Sequence, residues 1–190
     1  DTVLLGGASG SGKSTLFRAI AGIWPFGHGE IRGPCDPHVL FLPQKPYLPI
    51  GTLREVVSYP MPAGGVDDVT LREALEAVGL PKLAERLNEA GHWALQLSPG
   101  EQQRIAFARA LVQKPDWLFL DEATSAVDEA TEARLYRLVR ERLVGTTVFS
   151  VGHRATLRAF HSRQLLLQTD GSGPSSIVEV TAGLESARRD

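Results

Sequence analysis

The stretch "TVLLGGASGSGKSTLFRAIAG", residues 2–22, decides the fold. A short apolar run ends in glycines, as a buried strand does. A helical pattern follows, with Leu16, Phe17, Ile20, Ala21 and Trp24 at helix spacing. Between them "GASGSGKST", Gly7 to Thr15, fits G-x-x-x-x-G-K-[ST] in the strand–loop–helix setting that this motif requires. Gly7, Gly10 and Gly12 let the backbone curl so that amide N–H groups converge on phosphate oxygens. The whole run, with Ala8, Ser9, Ser11 and Thr15, is the candidate nucleotide-binding loop. Lys13 can reach the β- and γ-phosphates, the Ser14 hydroxyl can ligate Mg²⁺, and the next helix adds its positive end. The competing reading is a flexible glycine turn with a chance lysine.

Outward from this loop, apolar runs recur. "HVLFLPQ", "WLFLDE" (117–122) and "TTVFSVGH" (146–153) have the texture of buried strands. "RQLLLQTDGSGPSSIVEV" reads as two strands joined by a Gly/Ser turn. From Thr52 to about Gln96 the texture turns helical. Leu71, Ala74, Leu75 and Val78 form one stripe, and Leu83 and Leu87 suggest another. Leu135, Leu138, Val139 and Leu143 mark a later amphipathic helix. The pattern predicts an α/β core with a mostly parallel sheet and a helical lobe inserted into it.

Several polar residues fall at strand ends, where open α/β sheets bind ligands. Asp121 and Glu122 close "WLFL". One acid there can hold Mg²⁺ and its neighbour can polarise an attacking water, although an acidic helix cap would look the same. Gln44, after "VLFLP", can touch both metal and water, or be a plain loop residue. His153, after "VFSVG", can hydrogen-bond a terminal phosphate, or be structural. Ser98-Pro99-Gly100-Glu101 matches the capping box S-x-x-E, with Ser98 as N-cap and Pro99 at N1. That is a good helix start, and a good helix start is also an anion site. Ile105, Ala108 and Leu111 then mark one stripe of the helix.

The 190 residues suffice for one domain with its own core. Hydrophobic residues at 43% and charged residues at 22% are an ordinary globular balance. A net charge of -2 gives no bulk electrostatic case for nucleic acid, and none is expected as a partner. The single cysteine, Cys35, excludes an internal disulfide framework and suits a reducing compartment. No apolar run approaches the roughly 20 residues of a membrane span, and no signal peptide is visible. The chain opens inside strand-like sequence, so it is expected to be a piece of a longer protein, with N-terminal strands missing.

In order stand "GASGSGKST", Gln44, "LSPGEQQR", "LFLDEATSAVD" and "SVGHR". This set resembles the nucleotide-binding domain of an ATP-binding cassette (ABC) transporter over nearly the whole chain. The resemblance implies the ABC ATPase fold, with a P-loop NTPase core at 1–45 and 97–190. A helical subdomain at about 46–96 would extend into the signature helix. It implies ATP and Mg²⁺ as ligands. Lys13 and the loop amides would bind phosphates, and Ser14 and Gln44 would serve the metal. Asp121 would support it, Glu122 would be the general base, and His153 would sense the γ-phosphate. It implies a second nucleotide-binding domain paired head to tail, with Ser98 and Gly100 reaching the partner's ATP and Asp128 across the interface. "FLPQKPYLPIGTLREVVSYP" resembles the exporter type, most similar to peroxisomal acyl-CoA and cobalamin transporters and their bacterial half-transporter relatives. A transmembrane domain on the same full-length chain, at the cytoplasmic face of a bacterial inner membrane, is therefore expected.

The chain departs from the family's LSGGQ at two places. Pro99 removes one N–H, and the charge of Glu101 would repel a phosphate unless the capping box turns it away. The family's adenine-stacking aromatic lies upstream of the first residue here. Two other readings stand beside transport. An ABC-type ATPase acting on ribosomes or DNA would carry paired cassettes or long coiled coils, and neither is present. A non-hydrolysing regulatory module would not need Lys13, Gln44, Asp121, Glu122 and His153 together. A P-loop small-molecule kinase would make the signature and the switch histidine coincidences.

Overall fold

A computed structural model describes residues 1–20, 22–32, 37–62, 64–169 and 175–180. Ala21, Cys35, residues 170–174, where the Gly/Ser turn is expected, and the polar tail lie outside the described residues. In chain order the elements are β1 (Thr2–Gly7), α1 (Lys13–Ile20), β2 (Val39–Leu42), β3 (Gly51–Thr52), α2 (Leu53–Ser58), α3 (Asp68–Ala77), α4 (Pro81–Ala84), β4 (Ala90–Gly91) and α5 (Trp93–Gln96). Then come α6 (Pro99–Gln113), β5 (Trp117–Asp121), α7 (Glu129–Arg142), β6 (Thr147–Val151), a 3₁₀ turn (Ala155–Phe160), β7 (Arg163–Thr169) and β8 (Ser175–Glu179).

The apolar runs become a six-stranded sheet in the order β2-β5-β6-β1-β7-β8. All pairings are parallel except β7 with β8. Parallel strands are covered on both faces, which is why the inner ones carry unbroken apolar sequence. Alternation sorts their side chains. Leu4, Leu40, Leu118, Leu120 and Val148 share one cluster with the buried residues of α6 and α7. Leu5, Phe119 and Val151 face the other way, against Phe17 of α1. That second face is aromatic: Phe119 stacks on Phe149 at 5.1 Å, and Phe17 meets Phe119 edge-on at 5.3 Å. Because the core strands are parallel, the ends of β1, β2, β5 and β6 all open on one edge. There Gly7, Gln44, Asp121 and His153 emerge.

Two local expectations need correcting and a third extending. α1 stops at Ile20, and Trp24 is 38% exposed, edge-on against Phe26. The reason is Gly22, left-handed at φ 72, whose N–H donates to Ala19 O while Ile23 N–H donates to Arg18 O. This glycine closure ends a helix whatever the hydrophobic period beyond it. The Leu83–Leu87 stripe is not one helix, because α4 is a single turn with Pro81 at its start and Leu87 is buried beyond it. Finally, the Ile105, Ala108 and Leu111 stripe is buried as expected but is only part of the buried surface of α6. Gln102, Gln103 and Arg109 are buried along with Ile105 and Ala108, because α6 packs against α2 and α3 as well as β2 and α7. The β3–β4 ribbon, a short antiparallel pairing within the helical region, carried no sequence signal.

Candidate functional site

The phosphate-loop candidate wraps from β1 into α1. Gly7 sits at φ 142, and a Cβ there would stand 2.7 Å from Leu167 O, so only glycine lets the loop pass β7. Lys13 is buried. Its Nζ donates to Gly7 O at 3.0 Å and Ala8 O at 2.8 Å, which folds the ammonium over the loop's own carbonyls. An ammonium has three donors, so one remains. Ser11 Oγ is buried with no hydrogen-bond partner, an orphan that a phosphate oxygen would satisfy.

Ser14 Oγ donates to Asp121 Oδ1 at 3.0 Å, joining the start of α1 to the end of β5 although β6 lies between β1 and β5. Burial pushes the Asp121 carboxyl up from its ordinary value. The Ser14 hydrogen bond opposes this, and the neighbouring Glu122 charge adds to it. A hydroxyl and a strained-to-ionise carboxylate are hard oxygen donors that suit Mg²⁺, and a cation would relieve the unfavourable charge. Glu122 has φ 50, the left-handed region that non-glycine residues seldom adopt. This turns the chain at once after β5, and Glu122 Oε1 lies 3.0 Å from His153 Nε2, a hydrogen bond in which the imidazole N–H donates and the carboxylate oxygen accepts. The exposed Gln44 side chain makes no hydrogen bond to Ser14 or Asp121. Its backbone carbonyl accepts from Gln103 Nε2 at 2.9 Å.

At the start of α6 the capping box is complete. Ser98 Oγ accepts from Glu101 N–H, and Glu101 Oε2 accepts from Ser98 N–H at 2.9 Å and Ser98 Oγ at 2.7 Å. These bonds hold the Glu101 carboxyl below its ordinary range. Gly100 packs so closely that a Cβ would stand 2.9 Å from Ala126 O. No hydrogen bond joins Ser98 or Gly100 to residues 7–15 among the described residues. Asp128 caps α7, accepting from Thr131 N–H and Oγ1, both at 2.8 Å. Thus Lys13, Ser14 and Asp121 form one group, Glu122 and His153 a second at the same edge, and Ser98, Gly100 and Asp128 lie on a separate stretch.

Sequence reasoning missed a set of buried polar residues beneath these loops. Gln103, Glu132 and Arg109 are each at most 5% exposed. Arg109 donates to Val56 O and Tyr47 O, and burial lowers its pKa to about 10. The one available signal was a polar residue inside an apolar helix, which looks like a surface position when only one stripe is counted. Of the remaining histidines, His161 is structural, bonded to Leu157 O and Ser150 Oγ.

Comparison with known proteins shows the family and the fold. A family model described as "ABC transporter" matches residues 1–125. An uncharacterized ABC transporter ATP-binding protein of Synechocystis is 51% identical over 172 residues, 89% of this chain and 26% of that protein. The human lysosomal cobalamin transporter ABCD4 is 40% identical over 193 residues, 95% of this chain and 31% of that one. The solved structure of a bacterial Atm1-family ABC exporter with ATP bound superposes with a TM-score of 0.73 at 26% identity, covering 88% of this chain and 32% of that one. The chain spans about a quarter to a third of the curated relatives it matches. No helix among the described residues is long and apolar enough to cross a membrane.

Proposed function

The chain belongs to the ABC transporter family, and from that membership we propose that it binds and hydrolyses Mg²⁺·ATP to power transport by an exporter-type half-transporter. The observation that carries the reading is the meeting at one sheet edge of the phosphate loop with Asp121, through the 3.0 Å Ser14 bond, and of the Glu122–His153 pair beside them. On ATP binding, Lys13 exchanges the carbonyls of Gly7 and Ala8 for phosphate oxygens, and the loop amides and Ser11 hydroxyl complete the cradle. Ser14, Asp121 and the exposed side chain of Gln44 would hold Mg²⁺, which would supply neutralisation of the charge developing on the phosphate oxygens. Glu122 accepts a proton from the attacking water. His153 passes its one N–H from the Glu122 carboxylate to the terminal phosphate, which frees the carboxylate to accept the water's proton.

The exposed start of α6 and the exposed Asp128 support a second copy as partner, paired head to tail so that Ser98 and Gly100 meet the other chain's ATP. The relatives' length and names support a transmembrane domain in the full-length protein and a place at the cytoplasmic face of a membrane, the bacterial inner membrane for this chain.

The test is phosphate release by the full-length protein. Glu122→Gln is expected to keep ATP binding and cut turnover by about a hundredfold or more, the range for losing a general base. Undiminished turnover in that variant would remove Glu122 from the role. No phosphate release from the parent protein would favour a binding-only module.

A further inference from the structure

Residues 125–127 link the acidic pair at the end of β5 to Asp128, and they are gripped from two sides. From one side comes the amide of Gln103, a residue 2% exposed on α6. Its Oε1 accepts from Ala126 N–H at 2.9 Å, and its Nε2 donates to Ser125 Oγ at 3.1 Å. The same Nε2 donates to the backbone carbonyl of Gln44 at 2.9 Å. One buried side chain therefore ties the loop after β2, the segment before Asp128 and the signature helix together. A neutral amide supplies two donors and an acceptor at once, which matches the three bonds made at this spot.

From the other side comes Arg154, the residue after His153. Its Nη2 donates to Val127 O at 2.9 Å. Its Nη1 stands 3.5 Å from Glu132 Oε2, and the Glu132 side chain is 3% exposed. That carboxylate accepts from Thr124 Oγ1 at 2.6 Å and Thr156 Oγ1 at 3.1 Å, while Arg154 Nη1 meets it as an ion-pair partner and makes no hydrogen bond. Gly100 closes the remaining space, its hydrogen lying where a Cβ would strike Ala126 O.

We propose that Gln103 and Arg154 are positioning residues that clamp residues 125–127 between the signature helix and the His153 loop, so that Gln44, His153 and Asp128 shift together when the terminal phosphate arrives or leaves. Neither residue needs to touch ATP. Gln103 acts on the exposed segment from beneath, and Arg154 acts through a main-chain carbonyl. The consequence is that the γ-phosphate contact of one site and the loop facing a partner chain are a single mechanical body.

The inference rests on the ATPase reading, and its first test does not use nucleotide. In the full-length protein, backbone amide exchange at Ala126 is expected to rise about tenfold in Gln103→Leu, the scale of one lost hydrogen bond. Unchanged exchange overturns the clamp, whereas a parent protein that hydrolyses no ATP would count against the ATPase reading alone. Gln103→Glu is the gentler variant. It keeps an acceptor for Ala126 N–H and sets a charge against Gln44 O. Here kcat is expected to fall about tenfold while ATP affinity stays within about twofold, a split that separates positioning from binding. Adding Arg154→Lys, which keeps the charge beside Glu132, is expected to cost little beyond the worse single variant, because both act on one segment. Fully additive losses, or an equal fall in ATP affinity and melting temperature, would mark two independent structural residues and overturn the proposal.

Discussion

The helices α1 and α6 begin in opposite ways. α1 starts from the glycine loop with no acidic residue in its first turn and a lysine folded over the loop carbonyls. α6 starts with its own carboxylate seated on the Ser98 N–H and hydroxyl. Both ends carry the positive pole of a helix, and both are anion sites in principle. One is left open for an anion from outside, and the other already holds one from within. The difference teaches that a helix start is defined by what occupies it. On the proposed function, the open end gives up capping stability for ligand binding. The closed end is stable by itself and, in the proposed head-to-tail pair, would meet phosphate with Glu101 alongside.

The sharpest way to break this contrast is at the open end. Lys13→Ala is expected to weaken ATP binding by about a hundredfold, since hydrogen bonds to charged groups contribute about 1.5–3 kcal/mol each. Calorimetric titration of the full-length protein checks this, and unchanged affinity would mean that the open end is not the phosphate site. At the closed end, Ser98→Arg in one member of a mixed pair is expected to slow turnover at the opposite site by about tenfold, while ATP held by its own loop is unaffected. Damage confined to the variant's own site would refute the head-to-tail arrangement. The smallest effect concerns stability alone. Ser98→Ala removes the N-cap and is expected to cost about 1 kcal/mol in urea unfolding at neutral pH. Because the box lowers the Glu101 pKa on folding, its stabilisation is full above the ordinary carboxylate value of about 4.3 and is lost as pH falls through the folded value. Ser98→Ala is therefore expected to flatten the acid limb of the stability–pH curve, and an unaltered limb would show that the box contributes no linkage.

What could be read from the sequence was what is local to it. "GASGSGKST" and S-x-x-E carry their own geometry within one turn of chain, so the loop and the capping box were both foreseeable. The strand runs betrayed themselves because a parallel sheet is buried on both faces. Other features depend on distant packing. That β6 inserts between β5 and β1 depends on crossovers, not on any strand's composition. Nothing beside Gln103, Arg109 or Glu132 in sequence says that distant segments will cover them: the Gln44 loop and residues 125–126 for Gln103, Tyr47 and α2 for Arg109, and Thr124 and Thr156 for Glu132. Trp24 sits on the correct helical period, yet the left-handed Gly22 ends the helix before it.

With Glu122 in its proposed role, its backbone, left-handed at φ 50, sets stability and turnover against each other at one position. Glycine and asparagine adopt that conformation with less strain than glutamate. A library at residue 122 sorted by melting temperature would enrich those two, and a library sorted by phosphate release would discard them. A consensus drawn from thermostable variants alone would thus converge on a well-folded protein that cannot fire.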